Sequence, residues 1–385
     1  MRELLEINNE IRSEVIGLRE NIHRNPELGN EEFKTAELIE SYLASLGIET
    51  CRPYGTAVVG RLKCGEGKTV AFRADMDALP VEEATGAAFA SERKGIMHAC
   101  GHDVHTASVL GAAKILSGMK DRLNGTVVFI FQPDEEGSGG ARKLIEAGVL
   151  ADVDAVFGAH VDPAIPEGCI GIRYGKFYAA SDMFDVTIKG KSAHGASPEK
   201  GIDALAAAAL AVSRLRGLPQ EQEDRCVVST GMLKAGTVRN VIADEAFFAG
   251  IIRSLGEENR SALKKRVCET IESVCAEFGS ESDINLIESY AGIVNTDNET
   301  AVAEATARRM FGDDAVFMIE EPLMTTEDFG YYISEKAGSF YHIGAGCSEA
   351  LHSPCFLPSE EALIAAVRMH AAVACEFLGF KQGDI

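Results

Sequence analysis

Four short apolar runs limit what this chain can fold into: TVAFRA (69–74), TVVFIF (126–131), AVFGA (155–159) and SFYHIG (339–344). Each is rich in β-branched or aromatic residues and lacks the polar alternation of a strand with one wet face. Each therefore predicts a strand buried on both sides. Helix-like stretches such as HTASVLGAAKILSGM and GARKLIEAG separate some of them. That alternation predicts an α/β sheet with largely parallel strands, flanked by helices. Two further helices are predicted within residues 1–50, in LLEINNEIRSEVIGLRENI and FKTAELIESYLASLG, with HRNPELGN breaking between them. His23 lies in that break and reads as a packing or capping histidine.

From about residue 182 to 290 the rhythm changes. MFDVTIKG reads as a strand, GIDALAAAALAVSRLRGL as a helix, CVVSTGML and EAFFAGIIRS as strands, ENRSALKKRVCETIESVCAEFG as a helix and DINLIES as a strand. The order β-α-β-β-α-β is the ferredoxin-like pattern. The expected division is a main domain of 1–181 and 291–385, interrupted by an inserted domain of 182–290.

With 385 residues, 46% of them hydrophobic, the chain can bury a large core. Its formal charge of −22 repels phosphate backbones, and no dense Lys/Arg tract acts locally against that field, so nucleic acid is not an expected partner. The first 23 residues carry a charge every few positions, unlike a signal peptide, and no apolar run approaches the roughly 20 residues of a membrane span. A cytoplasmic location without membrane attachment is expected. Ten cysteines lack the short regular spacings of a disulfide framework; nine read as buried thiols, Cys100 being the exception.

In open α/β sheets, side chains just beyond the carboxyl ends of strands converge on the ligand crevice. TVAFRA runs into Asp75 and Asp77, TVVFIFQP into Asp134, Glu135 and Glu136, AVFGA into His160, and SFYHIGAG leads through a loop to His352. The segment MHACGHDVH adds His98, Cys100, His102, Asp103 and His105. Any one of these alone would be a cap or a solvated loop residue. Together, thiolate, imidazole and carboxylate donors suit zinc, manganese, cobalt or nickel better than calcium or magnesium. Cys100 and His102, two apart, form the leading ligand pair. A structural zinc site wants four closed ligands, often with a second nearby cysteine, which this segment lacks, so chemistry is the better reading. His98 and His105 can instead hold a ligand by hydrogen bonding. In the Glu135–Glu136 pair one carboxylate can ligate while its neighbour serves as general base; alternatively both complement the positive end of a helix starting near Ala141.

These residues fall in longer motifs: RADMDALP (73–80), MHACGHDVHT (97–106), FQPDEEG (131–137), GAHV around His160, GKSAHGASP (190–198), NVIAD (240–244), TEDF (326–329) and LHSPCF (351–356). The set, in this order from RENIHRNPELG onward, resembles the amidohydrolase branch of the aminoacylase-type metallopeptidases, which includes indoleacetyl-amino-acid hydrolases, hippurate hydrolases, aminobenzoyl-glutamate hydrolases and N-acetyldiaminopimelate deacetylases. The resemblance implies hydrolysis of the amide of N-acyl-amino acids at a two-metal centre. It implies Cys100, His102, Glu136, His160 and His352 as ligands and Glu135 as general base. It implies further that the inserted domain is a lid and homodimerisation unit, that His194 stabilises the oxyanion, often from the partner subunit, and that Asn240 and Arg253 hold substrate. Asp77, also expected in the catalytic set, matches an aspartate that in related branches stands behind a metal-binding histidine, whose place Asp75 takes here.

From the residues alone, His194 in a Gly/Ser/Pro loop would be an exposed histidine. Arg253 closes an apolar strand and needs solvent or an anion. The acids at Asp134 and Asp162 depart from the family pattern and are expected to favour a cationic group on the substrate. Rival readings are a dipeptidase or carboxypeptidase-like hydrolase of the same fold, a two-metal phosphoesterase and a non-catalytic binding protein. Acidic charge and a thiolate ligand argue against the phosphoesterase, and the second glutamate argues against the binder.

Overall fold

In a computed structural model of the chain, which describes residues 7–221 and 224–381, the four apolar runs lie side by side. They extend to β3 (Thr69–Asp75), β4 (Thr126–Gln132), β5 (Ala155–Asp162) and β14 (Ala337–Gly344) and form a mutually parallel block in the order β4-β3-β5-β14. On one flank β2 (Val58–Lys63) and β1 (Glu49–Cys51) continue the sheet antiparallel. On the other, β6 (Ile170–Ile172) runs antiparallel to β14 and parallel to β13 (Val316–Met318). The eight-stranded sheet is therefore mixed and mostly parallel at its centre. Of these outer strands β1, β6 and β13 escaped sequence reading because each has only three residues, and β2 because Gly60 and Arg61 interrupt its apolar run.

Alternation along the strands builds the main core. Val70, Phe72 and Ala74, Val127, Phe129 and Phe131, and Phe157 and Val161 enter one apolar cluster, as period-two side chains must when a face is buried. Phe72 stacks on Phe157 at 5.8 Å between ring centres. Against them pack α3 (His102–Gly118), nearly every residue of which is buried, and the helix Glu360–Leu378. The first two helices, α1 (Asn9–Arg24) and α2 (Phe33–Ser45), are those expected from periodicity. Side-chain caps start two of these helices: Asn8 Oδ1 accepts from the Ile11 amide at 2.9 Å, and Ser359 Oγ from the Ala362 amide at 3.1 Å.

The larger of two compact units takes the chain through Gly175, then Asn295–Glu320 and the stretch from Tyr331 onward. The second takes Lys176–Val294 and Glu321–Gly330. Here β8 (Ala180–Lys189), β9 (Val227–Ala235), β10 (Glu245–Ser254) and β11 (Glu281–Glu288) form an antiparallel sheet ordered β11-β8-β10-β9. Helices Ala204–Leu215 and Glu257–Phe278 pack on it, so the β-α-β-β-α-β order is present. Its core unites Phe184, Val186, Ile188 and Phe248 with Leu263, Val267 and Ile271. A buried bidentate pair, Arg260 to Asp182 at 2.9 and 2.7 Å, ties the second helix to β8. Residues 321–330 join this unit through Leu323, whose carbonyl accepts from the Ala179 amide at 3.0 Å. A two-stranded ribbon pairs β7 (Gly175–Tyr178) with β12 (Ile293–Asn295). Among the described residues no helix is long and apolar enough to cross a membrane.

Candidate metal centre

Because β3, β4, β5 and β14 are parallel, the segments that follow them emerge at one edge of the sheet. Asp75 ends β3, Glu135 and Glu136 follow β4, His160 lies near the end of β5, and His352 lies beyond β14. The loop carrying Cys100 enters α3 through Gly101, in the left-handed conformation at φ 84°. A Cβ there would lie 2.4 Å from Val161 Cγ2, so only glycine lets the two donors on either side approach β5 this closely.

The five expected ligands come together. Donor atoms of Cys100, His102 and His160 lie within 4.8 Å of one another, and so do those of Cys100, Glu136 and His352. Cys100 belongs to both groups, and its sulfur is 3.4 Å from His160 Nε2. His102 Nε2 lies 4.0 Å from Glu136 Oε1, which is 3.1 Å from His352 Nε2. Glu135, buried, joins a further group with His102 and Glu136.

The outer nitrogens of the histidines fix which atoms face inward. His160 Nδ1 donates to the Val161 carbonyl at 2.7 Å, leaving Nε2 toward Cys100. His102 Nδ1 donates to the Asp77 carbonyl at 2.9 Å and lies 3.2 Å from its Oδ1. Among the described residues His102 Nε2 is buried with no hydrogen-bond partner, a state costing about 1–3 kcal/mol that a cation in this donor set relieves. The residues thus fit a pair of divalent transition ions. Burial pushes the Glu136 carboxyl up, but the His352 bond and the charges of His102 and His352 outweigh it and hold it at about 2. Burial alone would lower His102; Asp75, Asp77 and Glu136 raise it to about 10. Burial raises the Cys100 thiol well above its ordinary value, and Glu136 and Glu135 add to the effect. A site this negative favours cations.

Asp77 ties two of the donors to each other: besides His102, its Oδ2 accepts from the Glu136 amide at 3.0 Å. Asp75 is fully buried, with Oδ2 2.6 Å from Arg73 Nη1 and Oδ1 accepting from His105 Nδ1 at 2.7 Å. His105 Nε2 accepts from the Val161 amide at 3.0 Å. Both ring nitrogens of His105 are engaged, so it supports β5 next to His160, although a ring nitrogen also lies within 4.8 Å of donor atoms of Asp75 and His102. His98 stands outside every donor group; burial drives it down to about 3, so it is a neutral buried ring. His23 is buried too, but as an ion pair: Nδ1 is 2.9 Å from Asp103 and Nε2 3.3 Å from Glu83.

The expected preference for a cationic substrate finds no support. Asp134 Oδ2 accepts from the Ser138 amide at 3.1 Å, and Asp162 accepts from His342 Nδ1 and the Ala164 amide, both at 2.7 Å. Asp134 is used in holding its own loop, and Asp162 in holding its turn and tying the end of β5 to β14.

In the second unit, His194 is exposed and bridges to Val241, next to Asn240, whose carbonyl accepts from the Gly195 amide at 2.8 Å. His194 Nδ1 accepts from the Ala196 amide at 3.0 Å, which leaves the proton on Nε2. Arg253 is near the far end of β10, where Glu245 begins the strand on the side of Asn240. Eight residues at about 3.3 Å separate those ends by roughly 26 Å. Arg253 is half-buried, its Nη1 has no hydrogen-bond partner among the described residues, and burial lowers its pKa.

Comparison with known proteins gives one consistent result. The profile of "Peptidase family M20/M25/M40" matches residues 71–376. Thermostable carboxypeptidase 2 of Saccharolobus solfataricus is 37% identical over 381 residues, covering 96% of each chain. N-acetylcysteine deacetylase of Bacillus subtilis is 37% identical over 366 residues, covering 94% of this chain and 96% of its own. A Bacillus subtilis crystal structure described as a dinuclear metal-binding peptidase of the M20 family superposes with a TM-score of 0.86 at 35% identity, over 96% of this chain and 99% of that one. With such coverage at both sequence and fold level, the chain belongs to peptidase family M20/M25/M40.

Proposed function

We propose that the protein hydrolyses the amide bond of N-acyl-amino acids, releasing a carboxylic acid and a free amino acid. The observation that carries this reading is the sharing of Cys100 between two donor groups beside the buried Glu135. The ligands are Cys100, His102 and Glu136 with His160 and His352. Two divalent ions held there, zinc, manganese, cobalt or nickel, supply an acidified water and a polarised carbonyl when bound.

Glu135 takes the proton of the attacking water and delivers it to the departing amine. Asp77 orients His102 and the Glu136 amide. The Nε2–H of His194 donates to the developing oxyanion, and Asn240 and Arg253 hold the substrate, Arg253 by its free carboxylate. The placement of His194 and Arg253 toward opposite ends of the lid sheet supports a homodimer through this unit, in which His194 serves the partner's site. The substrate is a small molecule, nucleic acid is no partner, and the setting is cytoplasmic.

The kinship with a carboxypeptidase supports a second reading, hydrolysis of short peptides at the same site. A screen of the metal-reconstituted protein against N-acetyl, N-benzoyl and N-indoleacetyl amino acids and short dipeptides, scored by free amine, separates the two. Amine release only from dipeptides would replace the first reading with the second; release from neither would end both.

A further inference from the structure

The segment NPELGNEEF, between the first two helices, has no role in the chemistry above, yet it reaches the catalytic loop. Glu32 is fully buried. Its Oε1 accepts from the Asp134 amide at 3.0 Å and its Oε2 from Thr56 Oγ1 at 2.6 Å. Asp134 is the residue just before Glu135 and Glu136, and at φ 58° it is one of three non-glycine residues with positive φ among those described. A left-handed non-glycine residue persists only where its surroundings hold it.

Those surroundings close on the turn from several sides. Ser138 donates to the Asp134 carboxylate. Gly29 presses against the same carboxylate: a Cβ on Gly29 would stand 2.2 Å from Asp134 Oδ1. The NPELGNEEF segment is itself pinned. Glu27 Oε2 accepts from the Thr35 amide and hydroxyl at 2.9 and 3.1 Å, and the Glu27 carbonyl accepts from the Ala78 amide at 2.8 Å.

We propose that Glu32 is a positioning residue for the catalytic loop: its carboxylate holds the left-handed turn at Asp134 and so sets the directions of Glu135 and Glu136. With Asp77 gripping the Glu136 amide, the loop is held at both ends of its Asp134–Glu136 stretch. Releasing the Asp134 amide lets this residue relax to negative φ, which swings both following side chains. This inference rests on the reading of Glu135 as the general base and Glu136 as a ligand.

Glu32→Ala, Glu32→Gln, Gly29→Ala and Glu135→Ala, each assayed as the full-length protein at saturating Mn²⁺, test it. Glu32→Ala is expected to lower kcat about 10²-fold, the scale of a 1 Å misplacement, with KM within about threefold of wild type. Its apparent affinity for Mn²⁺, read by competition with a fluorescent chelator, is expected to fall by about 10-fold or more through Glu136. Glu32→Gln is expected to stay close to wild type, since its amide oxygen still accepts from the Asp134 amide while its NH₂ donates to Thr56. Gly29→Ala crowds the same turn without removing a buried carboxylate and is expected to lower kcat even where Glu32→Ala fails to fold. Wild-type kcat in Gly29→Ala, or a Glu32→Gln as impaired as Glu32→Ala, overturns the positioning role, provided Glu135→Ala is inactive. An active Glu135→Ala overturns the functional reading instead.

Discussion

Replacing Gly101 by alanine tests whether the approach of the Cys100 loop to β5 builds the centre. Two costs follow from the geometry. Alanine in the left-handed conformation of φ 84° costs about 1–2 kcal/mol. The added methyl, 2.4 Å from Val161 Cγ2, must push aside a β-branched side chain with little freedom in a close-packed core, about 1–3 kcal/mol more. The expected loss is about 2–5 kcal/mol, read by urea denaturation, or roughly 4–20 °C in the melting temperature of a unit this size. Because Val161 follows His160 and accommodates the methyl by moving, bound metal is expected to fall as well. Adding Val161→Ala removes the clashing group, and the double-mutant cycle is expected to show a favourable coupling of about 1–3 kcal/mol. A loss under about 1 kcal/mol with full metal content would refute the reasoning, as would strictly additive single mutants.

Glu135→Ala is expected to retain metal by elemental analysis while kcat falls about 10²–10⁴-fold, whereas His160→Ala loses metal and activity together. His23 titrates near 9 in the fold: burial lowers it, but Asp103 and then Glu83 more than offset that. Because its folded value lies above the unfolded 6.5, its contribution of about 3 kcal/mol is complete below pH 6.5 and disappears as pH rises through 9. His23→Gln is therefore expected to flatten the decline of melting temperature across that window; an unchanged slope speaks against the assignment. Arg260→Ala leaves Asp182 buried without its bidentate partner and is expected to destabilise the second unit by about 3–5 kcal/mol in calorimetry, while the metal content of the first unit is unaffected.

In the eight-stranded sheet the strands legible in sequence were those buried on both faces, where a continuous apolar run is the only viable composition; those of the second unit were legible from their helix–strand order. Strands β1 and β13, three residues each with exposed positions, and β6 around Gly171, carry no such run. Glu136 and His160 were legible because they stand at the ends of readable strands, and Cys100 and His102 because several donors crowd into one short segment before α3. Their supports were not: His105 reads as ligand or prop until Asp75 and the Val161 amide are seen to occupy its two nitrogens. Glu32 and Asp134 are separated by about a hundred residues, and no local periodicity encodes a contact at that range. His23 looked like a packing histidine because neither of its carboxylate partners is near it in sequence.

The order of the donors along the chain sets when the centre can exist. Four of the five come from residues 100–160, but His352 is made only after the whole second unit. Strand β14, which seats beside β5, is equally late. If His352 is the fifth donor, as proposed, a nascent chain cannot gather the full set until the second unit has been made, and that unit, contiguous apart from its final ten residues, has its own core available to fold beforehand. Completion of the proposed donor set thus follows the synthesis of the second unit rather than nucleating it.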